Sequence, residues 1–390
     1  MHDVAVIGAG PSGSMAAYHC AKAGLRTLLL DRCSLPRKKC CAGGILARAE
    51  KELDFKLSDS VRESEVAGFT LVAEGARYHI PMGAKVAVTV RRERFDAFIA
   101  KKAEDAGAEL LCESRVEGAK EEQDMVVIRS SSGEVAAKYL VVAEGAGGCI
   151  ASSLVGQRSE RWAATGAAVE VDVGATTKDA EIHLLTIHGN SLKPGPYFPL
   201  SGVVLPLKGT LVVSAVANDC SVHLIERGLA VIMEDLESRY GRAQPLGNRC
   251  VHPLPIVPRT RLHTRRVVVV GDAAGLVSPF SGEGLTSALL SGRFAAEAII
   301  VSHCRGRVGL SSYGKMCHRE ILPRLRVASL VGPWLHFLVR TIGHERLVAN
   351  FEKDRGLVRA CEAFASGEAG SLHLAMQALP RAPFLLACPR

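Results

Sequence analysis

Val4-Ala5-Val6-Ile7-Gly8-Ala9-Gly10-Pro11-Ser12-Gly13-Ser14-Met15-Ala16-Ala17 runs from an apolar strand through a glycine turn into a small-residue helix. Gly8 permits the tight turn, Gly10 lets the backbone approach a pyrophosphate, and Gly13 lets the helix pack closely on the strand. Phosphates at such a turn sit at the helix N-terminus, where free N–H groups point outward. A second strand, Thr27-Leu28-Leu29-Leu30, ends in Asp31, where this fingerprint places the carboxylate that binds a ribose 2′-OH. The reading is a Rossmann-type α/β fold holding a dinucleotide; the alternative is a glycine turn that binds nothing.

At 390 residues the chain accommodates two domains, or one large domain with insertions, and its 48% hydrophobic content allows a substantial core. The first apolar run is the nucleotide strand itself, without a basic n-region or a small-residue cleavage site, which points to a cytoplasmic protein. Twelve cysteines without C-x-x-C pairs argue for reduced thiols rather than a disulfide framework, and the thirteen histidines are scattered, so no metal site is expected. A formal charge of +8 favours diphosphates or acidic lipid surfaces as partners. No recognition motif or run of stacking aromatics points to nucleic acid.

After Asp31 comes a basic, cysteine-bearing loop, Arg32-Cys33-Ser34-Leu35-Pro36-Arg37-Lys38-Lys39-Cys40-Cys41-Ala42-Gly43-Gly44. Its cations suit cofactor phosphates, its glycines allow close approach to a flat ring, and its thiols are possible proton donors; a solvated loop is the alternative. Strands are expected over 66–72 and 85–90, a helix over 91–106, and strands over 109–112, 126–128 and 138–143. The last of these feeds the glycine turn Glu144-Gly145. That trio reads as a three-stranded excursion returning to the nucleotide sheet. Alternating segments at 166–173, 181–187, 203–207 and 211–216 predict a sheet walling a substrate cavity. A helix follows over 222–236, and then an extended return through Pro253, Pro255 and Pro258. The block Val267-Val268-Val269-Val270-Gly271-Asp272 is a second buried strand ending on a carboxylate, and Gly282-Glu283-Gly284-Leu285 opens a second small-residue helix. The dipole of that helix start favours a cofactor ring on which negative charge builds.

These blocks together resemble the glutathione-reductase-type FAD superfamily, specifically its geranylgeranyl reductase branch. The likeness covers the Gly8 to Gly13 fingerprint with Asp31, the Pro36 to Gly44 loop, Arg92-Glu93-Arg94-Phe95-Asp96 matching R-x-x-F-D, and the Gly271 to Gly284 block. It implies FAD as cofactor. Gly8, Gly10, Pro11, Ser12 and Gly13 would lie on the pyrophosphate, Asp31 on the adenosine ribose, and Arg32, Arg92, Val116, Glu144 and Gly145 along the cofactor. Asp272, with Gly271 beside it, would meet the ribityl chain or a nearby phosphate, and Gly282, Glu283, Gly284 and Leu285 the pyrimidine end of the flavin. The family pattern K-x-C-G-G-G falls on Lys39, Cys41, Ala42, Gly43 and Gly44, putting Cys41 near the flavin as the candidate catalytic residue, with Cys40 the second choice. Three departures stand out. Ala42 replaces the first glycine, Glu144-Gly145 replaces Asp-Gly, and the aromatic wall Y-x-W-x-F-P falls on Ser201-Gly202-Val203-Val204-Leu205-Pro206, with Tyr197 and Phe198 nearby as substitutes.

The resemblance implies a discontinuous FAD-binding domain over 1–65, 91–160 and 256–310. An inserted mixed or antiparallel β-sheet substrate domain would occupy 66–90 and 161–255, and a C-terminal helical region 311–390. The leading functional reading is an FAD-dependent reductase saturating double bonds of a prenyl lipid, quinone side chain or prenyl diphosphate. A flavin monooxygenase or halogenase of an apolar molecule, and a non-catalytic flavin redox protein, remain alternatives. The only tryptophans, Trp162 and Trp334, stand too far apart for a halogenase W-x-W-x-I-P motif. No second nucleotide fingerprint is present, so electrons would come from an external donor, NAD(P)H or a ferredoxin-like carrier. The apolar run 327–339, flanked by Lys315, Arg319, Arg324, Arg326, Arg340 and Arg346, falls short of the about twenty residues of a membrane span. It reads as a helical cap over the cavity in preference to a peripheral helix on the inner face of a membrane. Cys388, third from the end, does not form a C-a-a-X site.

Overall fold

In the computed structural model, residues 1–73, 76–81, 85–156, 163–175, 180–184, 201–217, 222–306, 308–330, 354–356, 359 and 363 are described. The opening strand His2–Ile7 lies between Thr27–Leu30 and Gly133–Val142, parallel to both, and Val267–Val269 continues the parallel set beyond Gly133–Val142. Glu109–Leu111 extends it past Thr27–Leu30. Continuous runs of Val, Leu and Ala suit strands covered on both faces, and Val4, Ala5, Leu29, Leu140 and Val268 are fully buried. Pro11–Lys22 packs between Arg92–Asp105 and Leu285–Cys304. Leu285–Cys304 is long and apolar enough to cross a membrane, with a mean hydropathy of 1.3, but 72% of its apolar window is buried inside the fold, as in a core helix.

Among the strands that escaped the sequence reading, two extend sheets at their ends. Val116–Glu121 pairs with Val126–Ser130, which pairs with Gly133–Val142, so the antiparallel excursion uses 116–121 where 109–112 was expected. The low apolarity of Val116-Glu117-Gly118-Ala119-Lys120-Glu121 at a sheet edge explains why no alternation showed. Ala76–Pro81 is the second arm of a hairpin with Gly68–Ala73.

A second sheet runs in the order Gln244–Pro245, Ala163–Asp172, Leu211–Ala217, Ser201–Pro206, Ala180–Leu184, Gly68–Ala73 and Ala76–Pro81, with Cys250–Pro255 also paired to Ala163–Asp172. The prolines at 253 and 255 occupy this outer strand, where a missing N–H is tolerated. The helix Val222–Tyr240 covers one face, burying Ile225, Leu229, Ile232 and Leu236 at helical spacing against Val169, Val171, Val213 and Ala215. A third, three-stranded sheet joins Gly44–Leu46, Ala87–Val90 and Arg62–Val66. Residues 87–90, grouped by sequence with the substrate sheet, therefore pair with the loop end at Gly44.

Beyond Leu285–Cys304, Ser311–Glu320 docks on the core through Tyr313, whose hydroxyl donates to the Val269 carbonyl at 2.6 Å. Trp162, Trp334, Tyr197, Phe198, Arg340 and Arg346, with most of the 327–339 run and the tail at Cys388, lie outside the described residues.

Candidate cofactor and active site

The glycine turn is built by close approach. A Cβ on Gly13 would lie 1.9 Å from the Gly8 carbonyl oxygen, so helix and turn meet only because that side chain is absent. Gly10 differs: it is extended backbone at φ −80°, and among the described residues an added Cβ would meet the Arg37 guanidinium, at 3.6 Å, and nothing else within 4 Å. It faces an open cradle with a cation above and the first turn of Pro11–Lys22 behind, Ser12 and Gly13 included. Close by in sequence, the buried Ser14 hydroxyl has no partner among the described residues, and neither has that of Thr286 on the first turn of Leu285–Cys304. A cation over a helix start fits a diphosphate-bridged dinucleotide.

Asp31 shapes this cradle. Its carboxylate accepts from the backbone N–H of Ala9 at 2.7 Å and of Cys33 at 3.0 Å, and lies 3.5 Å from Arg37 Nε. Arg37 also reaches Asp96 at 3.4 Å. The sequence placed Arg37 in a generally basic loop; the fold singles it out. Arg32 is exposed, and Val116 is half-buried on the strand that follows Ser114, whose N–H donates to the Asp31 carbonyl.

Two of the acids expected at the cofactor hold helix starts. Glu144 accepts from the N–H groups of Ile150 and Ala151 at 3.0 and 2.7 Å, holding the start of Ile150–Val155 beside Gly145. Its extra methylene gives the reach to do so. Glu283 accepts from Thr286 N–H at 2.6 Å and pairs with Arg48 at 3.2 Å, so this carboxylate occupies an N–H of the second helix start. Gly282, Gly284 and Leu285 form the turn into that helix. Asp272 sits against it, with Oδ1 3.3 Å from where a Gly284 Cβ would be, while the Gly271 N–H donates to Ser291 Oγ at 3.0 Å.

The basic loop folds over Asp272. Burial pulls the Lys39 pKa down, against the raising effect of Asp272, and Lys39 Nζ lies 2.5 Å from His252 Nε2. Burial first, and then the Lys39 charge, push His252 down to about 4, so the ring is neutral at pH 7 and accepts from the ammonium. Arg92, only 7% exposed, pairs with Asp96 at 2.9 Å and also contacts Cys41. Burial alone would lower its pKa, but Asp96 and Cys41 outweigh burial and raise it. The arginine expected on the cofactor is therefore held by an acid and a thiol. Cys41 Sγ accepts from the Gly43 N–H at 3.4 Å. Cys40, the second catalytic choice, faces Cys250 and the Ala168 backbone.

Ala42 and Gly44 meet the second sheet. Leu205 Cδ1 would stand 3.0 Å from a Cβ on Gly44, and the Thr89 hydroxyl donates to the Pro206 carbonyl at 2.6 Å. Val66, Val86, Ala87, Ala180 and Leu205 form an apolar cluster here with Ala42, Leu46, Val203 and Phe69. The wall strand has lost its aromatics, yet Phe69 from a neighbouring hairpin supplies a ring. His252, Cys250 and Phe69 were missed because their partners lie far away in the chain.

Residues 1–319 match the family described as FAD binding domain. A digeranylgeranylglycerophospholipid reductase 1 from Methanopyrus kandleri is 30% identical over 321 residues, covering 76% of this chain and 80% of that one. The chain belongs to the geranylgeranyl reductase family of FAD-dependent oxidoreductases. The flavoenzyme's fold is shared with a geranylgeranyl bacteriochlorophyll reductase-like protein from Thermoplasma acidophilum, at TM-score 0.77 and 19% identity, covering 99% and 97% of the two chains. It is shared equally with the flavin-dependent brominase Bmp2, at TM-score 0.74 and 17% identity, covering 98% of each. The fold alone thus does not choose the flavoenzyme's reaction.

Proposed function

We propose that the flavoenzyme saturates carbon–carbon double bonds in the prenyl chain of a lipid, quinone or diphosphate. The observation that carries this reading is the apolar cluster around Leu205 and Phe69, set against the Ala42–Gly44 end of the loop that holds Cys41. An apolar surface at this end of the loop suits a hydrocarbon chain better than a polar ligand. FAD bound in the cradle supplies the two-electron reducing power, which an isolated alkene requires.

The chain's own groups manage the proton. Cys41 donates to the alkene carbon that does not receive hydride, and the adjacent Arg92 cation stabilises the thiolate left behind. Lys39, within electrostatic reach of Cys41 and coupled to His252, returns a proton to the sulfur. Gly8, Gly10, Gly13 and Arg37 hold the diphosphate, Asp31 holds the turn, and Asp272 orients the cofactor chain. An external NAD(P)H or ferredoxin-like donor reloads the cofactor. An apolar substrate also fits a cytoplasmic enzyme touching a membrane surface peripherally, which flotation with anionic liposomes tests.

The decisive experiment reduces the purified holoenzyme anaerobically and screens prenyl lipids, quinones and diphosphates for flavin reoxidation. Reoxidation is expected with a product heavier by two hydrogens per double bond. A hydroxylated product formed only with oxygen would make the enzyme a monooxygenase. A yellow protein that no substrate reoxidises would be a redox carrier. Cys41→Ser is expected to keep its flavin while turnover falls by about 100-fold or more, the range for a lost acid.

A further inference from the structure

Cys40 and Cys250 stand 210 positions apart and belong to different parts of the fold. Cys40 lies on the loop between Asp31 and Gly44, and Cys250 opens the outer strand Cys250–Pro255, paired with Ala168. Two contacts bring them together. Next to one is Lys39 and two residues beyond the other is His252, and these side chains touch at 2.5 Å. Cys250 Sγ donates to the Ala168 carbonyl at 3.3 Å, and the Cys40 thiol interacts with both that backbone and the Cys250 sulfur. Both thiols are reduced and half-buried, so solvent reaches them. Cys41 is engaged elsewhere, by Gly43 and Arg92.

We propose that Cys250 and Cys40 form a thiol–disulfide exchange site, taking small-molecule disulfides as its substrates, that reversibly ties the Cys41-bearing loop to the edge of the second sheet. The Cys250 thiolate attacks a disulfide RSSR, giving Cys250–S–S–R and releasing one RS⁻. Cys40 loses its proton to water and attacks the Cys250 sulfur, releasing the second RS⁻ and closing the Cys40–Cys250 bond. The two protein thiols lose two electrons in all, and the small disulfide gains them as two thiols.

The order of attack follows from the pair's electrostatics. The Cys40 S–H stabilises a neighbouring thiolate, lowering Cys250 to about 7 and raising Cys40, so Cys250 is the nucleophile and Cys40 the resolving thiol. Residues 37–43 carry no helix or strand, which leaves the loop free to reach disulfide geometry. The closed bond fixes the loop on which Cys41 and Gly44 sit. The site is independent of the substrate proposed above.

The test exposes the FAD-loaded protein to oxidised glutathione under argon, blocks remaining thiols, and digests with trypsin, which cuts after Lys39 and Arg249. The expected product joins the peptide starting at Cys40 to the one starting at Cys250, lighter than their sum by two hydrogens and opened by dithiothreitol. Free thiols fall by two per chain. Fragmentation is to place the link on Cys40, and Cys41→Ser is expected to retain it. Cys40→Ser stops at the Cys250 mixed disulfide, and Cys250→Ser yields neither species. A link through Cys41 overturns the proposal. So does wild-type protein that accumulates only the mixed disulfide, or one in which exposed Cys149 and Cys304 react while Cys40 and Cys250 stay reduced.

Discussion

The glycine turn at Gly8–Gly13 and the meeting of Lys39 and Cys40 with Cys250 and His252 are built by opposite means. At the turn, the spacing of the glycines is itself the signal: Gly13 packs on the carbonyl of Gly8 five positions earlier, even though Gly8 also lies against Ala143 and Gly10 beneath Arg37. At the second contact, a loop with no regular structure meets the proline-bearing outer strand of another sheet, over 200 residues later. The first kind of geometry leaves a pattern in the sequence. The second leaves only residue types, whose meaning waits for the fold.

The largest expected effect tests whether the turn is as locally fixed as this contrast requires. Gly13→Ala places a Cβ 1.9 Å from the Gly8 oxygen, a backbone clash that no side chain can relieve. It should destabilise the fold by roughly 3 kcal/mol or more and yield colourless protein. Gly10→Ala, with only Arg37 nearby, should leave the apoprotein's melting temperature unchanged yet weaken FAD binding by about 10-fold to 100-fold, since the methyl occupies the phosphate cradle. Fluorescence titration with FAD and thermal melts separate the two. Equal melting losses in both variants would make Gly10 structural and end the cradle assignment.

A second, smaller effect concerns the far side of the second sheet, which resembles the loop contact in being long-range. Glu181 is bound by Arg239 at 2.9 Å, Arg77 at 2.6 Å and His183 at 3.0 Å, and Asp235 shares both arginines. Glu181, His183 and Asp235 offer donor atoms within 4.8 Å of one another, but the guanidiniums already occupy the carboxylates, which makes this an ion network clamping Val222–Tyr240 to the sheet. Burial alone would raise the Glu181 pKa; the His183 bond and the two arginine charges override it and lower it to about 2. Its stabilisation is fully present above the unfolded value near 4.5 and is lost as pH falls through about 2. Because both arginines are partly exposed, Glu181→Gln should cost roughly 2 kcal/mol at pH 7, less than a fully buried pair. Urea melts at pH 7 and pH 3 check this; a variant gap that does not narrow at low pH would contradict it.

The sequence disclosed what short-range spacing encodes. The nucleotide strand, its turn, Asp31, the Asp272 strand end and the helix at Leu285 were all legible, and with them the FAD family. The edge strand Val116–Glu121 was not, because a solvated edge needs no apolar alternation. That Glu144 and Glu283 cap helices was not legible, since a motif records residue type and not which N–H a carboxylate will find. Arg37 hid among three other basic residues, Arg32, Lys38 and Lys39, in one loop. Phe69 shows why a lost aromatic motif misleads: the ring missing from the wall strand is offered by a hairpin 130 residues upstream.

The smallest expected effect sharpens the contrast at its long-range end. His252 is lowered to about 4 in the fold against 6.5 when unfolded, so between those values the unfolded chain binds the extra proton. Stability should therefore decline as pH falls from about 6.5 towards 4, and His252→Gln should remove that part of the slope. With the ring only partly shielded, the contribution is roughly 1 kcal/mol. Burial is the leading cause and the Lys39 charge the second, which makes the two separable by NMR titration of the ring. Lys39→Met should raise the His252 pKa only part of the way to 6.5, because the sheet and loop still exclude water. A full return would mean that the ammonium, not the packing of loop on strand, keeps this histidine neutral, and the contact would then be an ion–dipole pair at the surface rather than a buried junction.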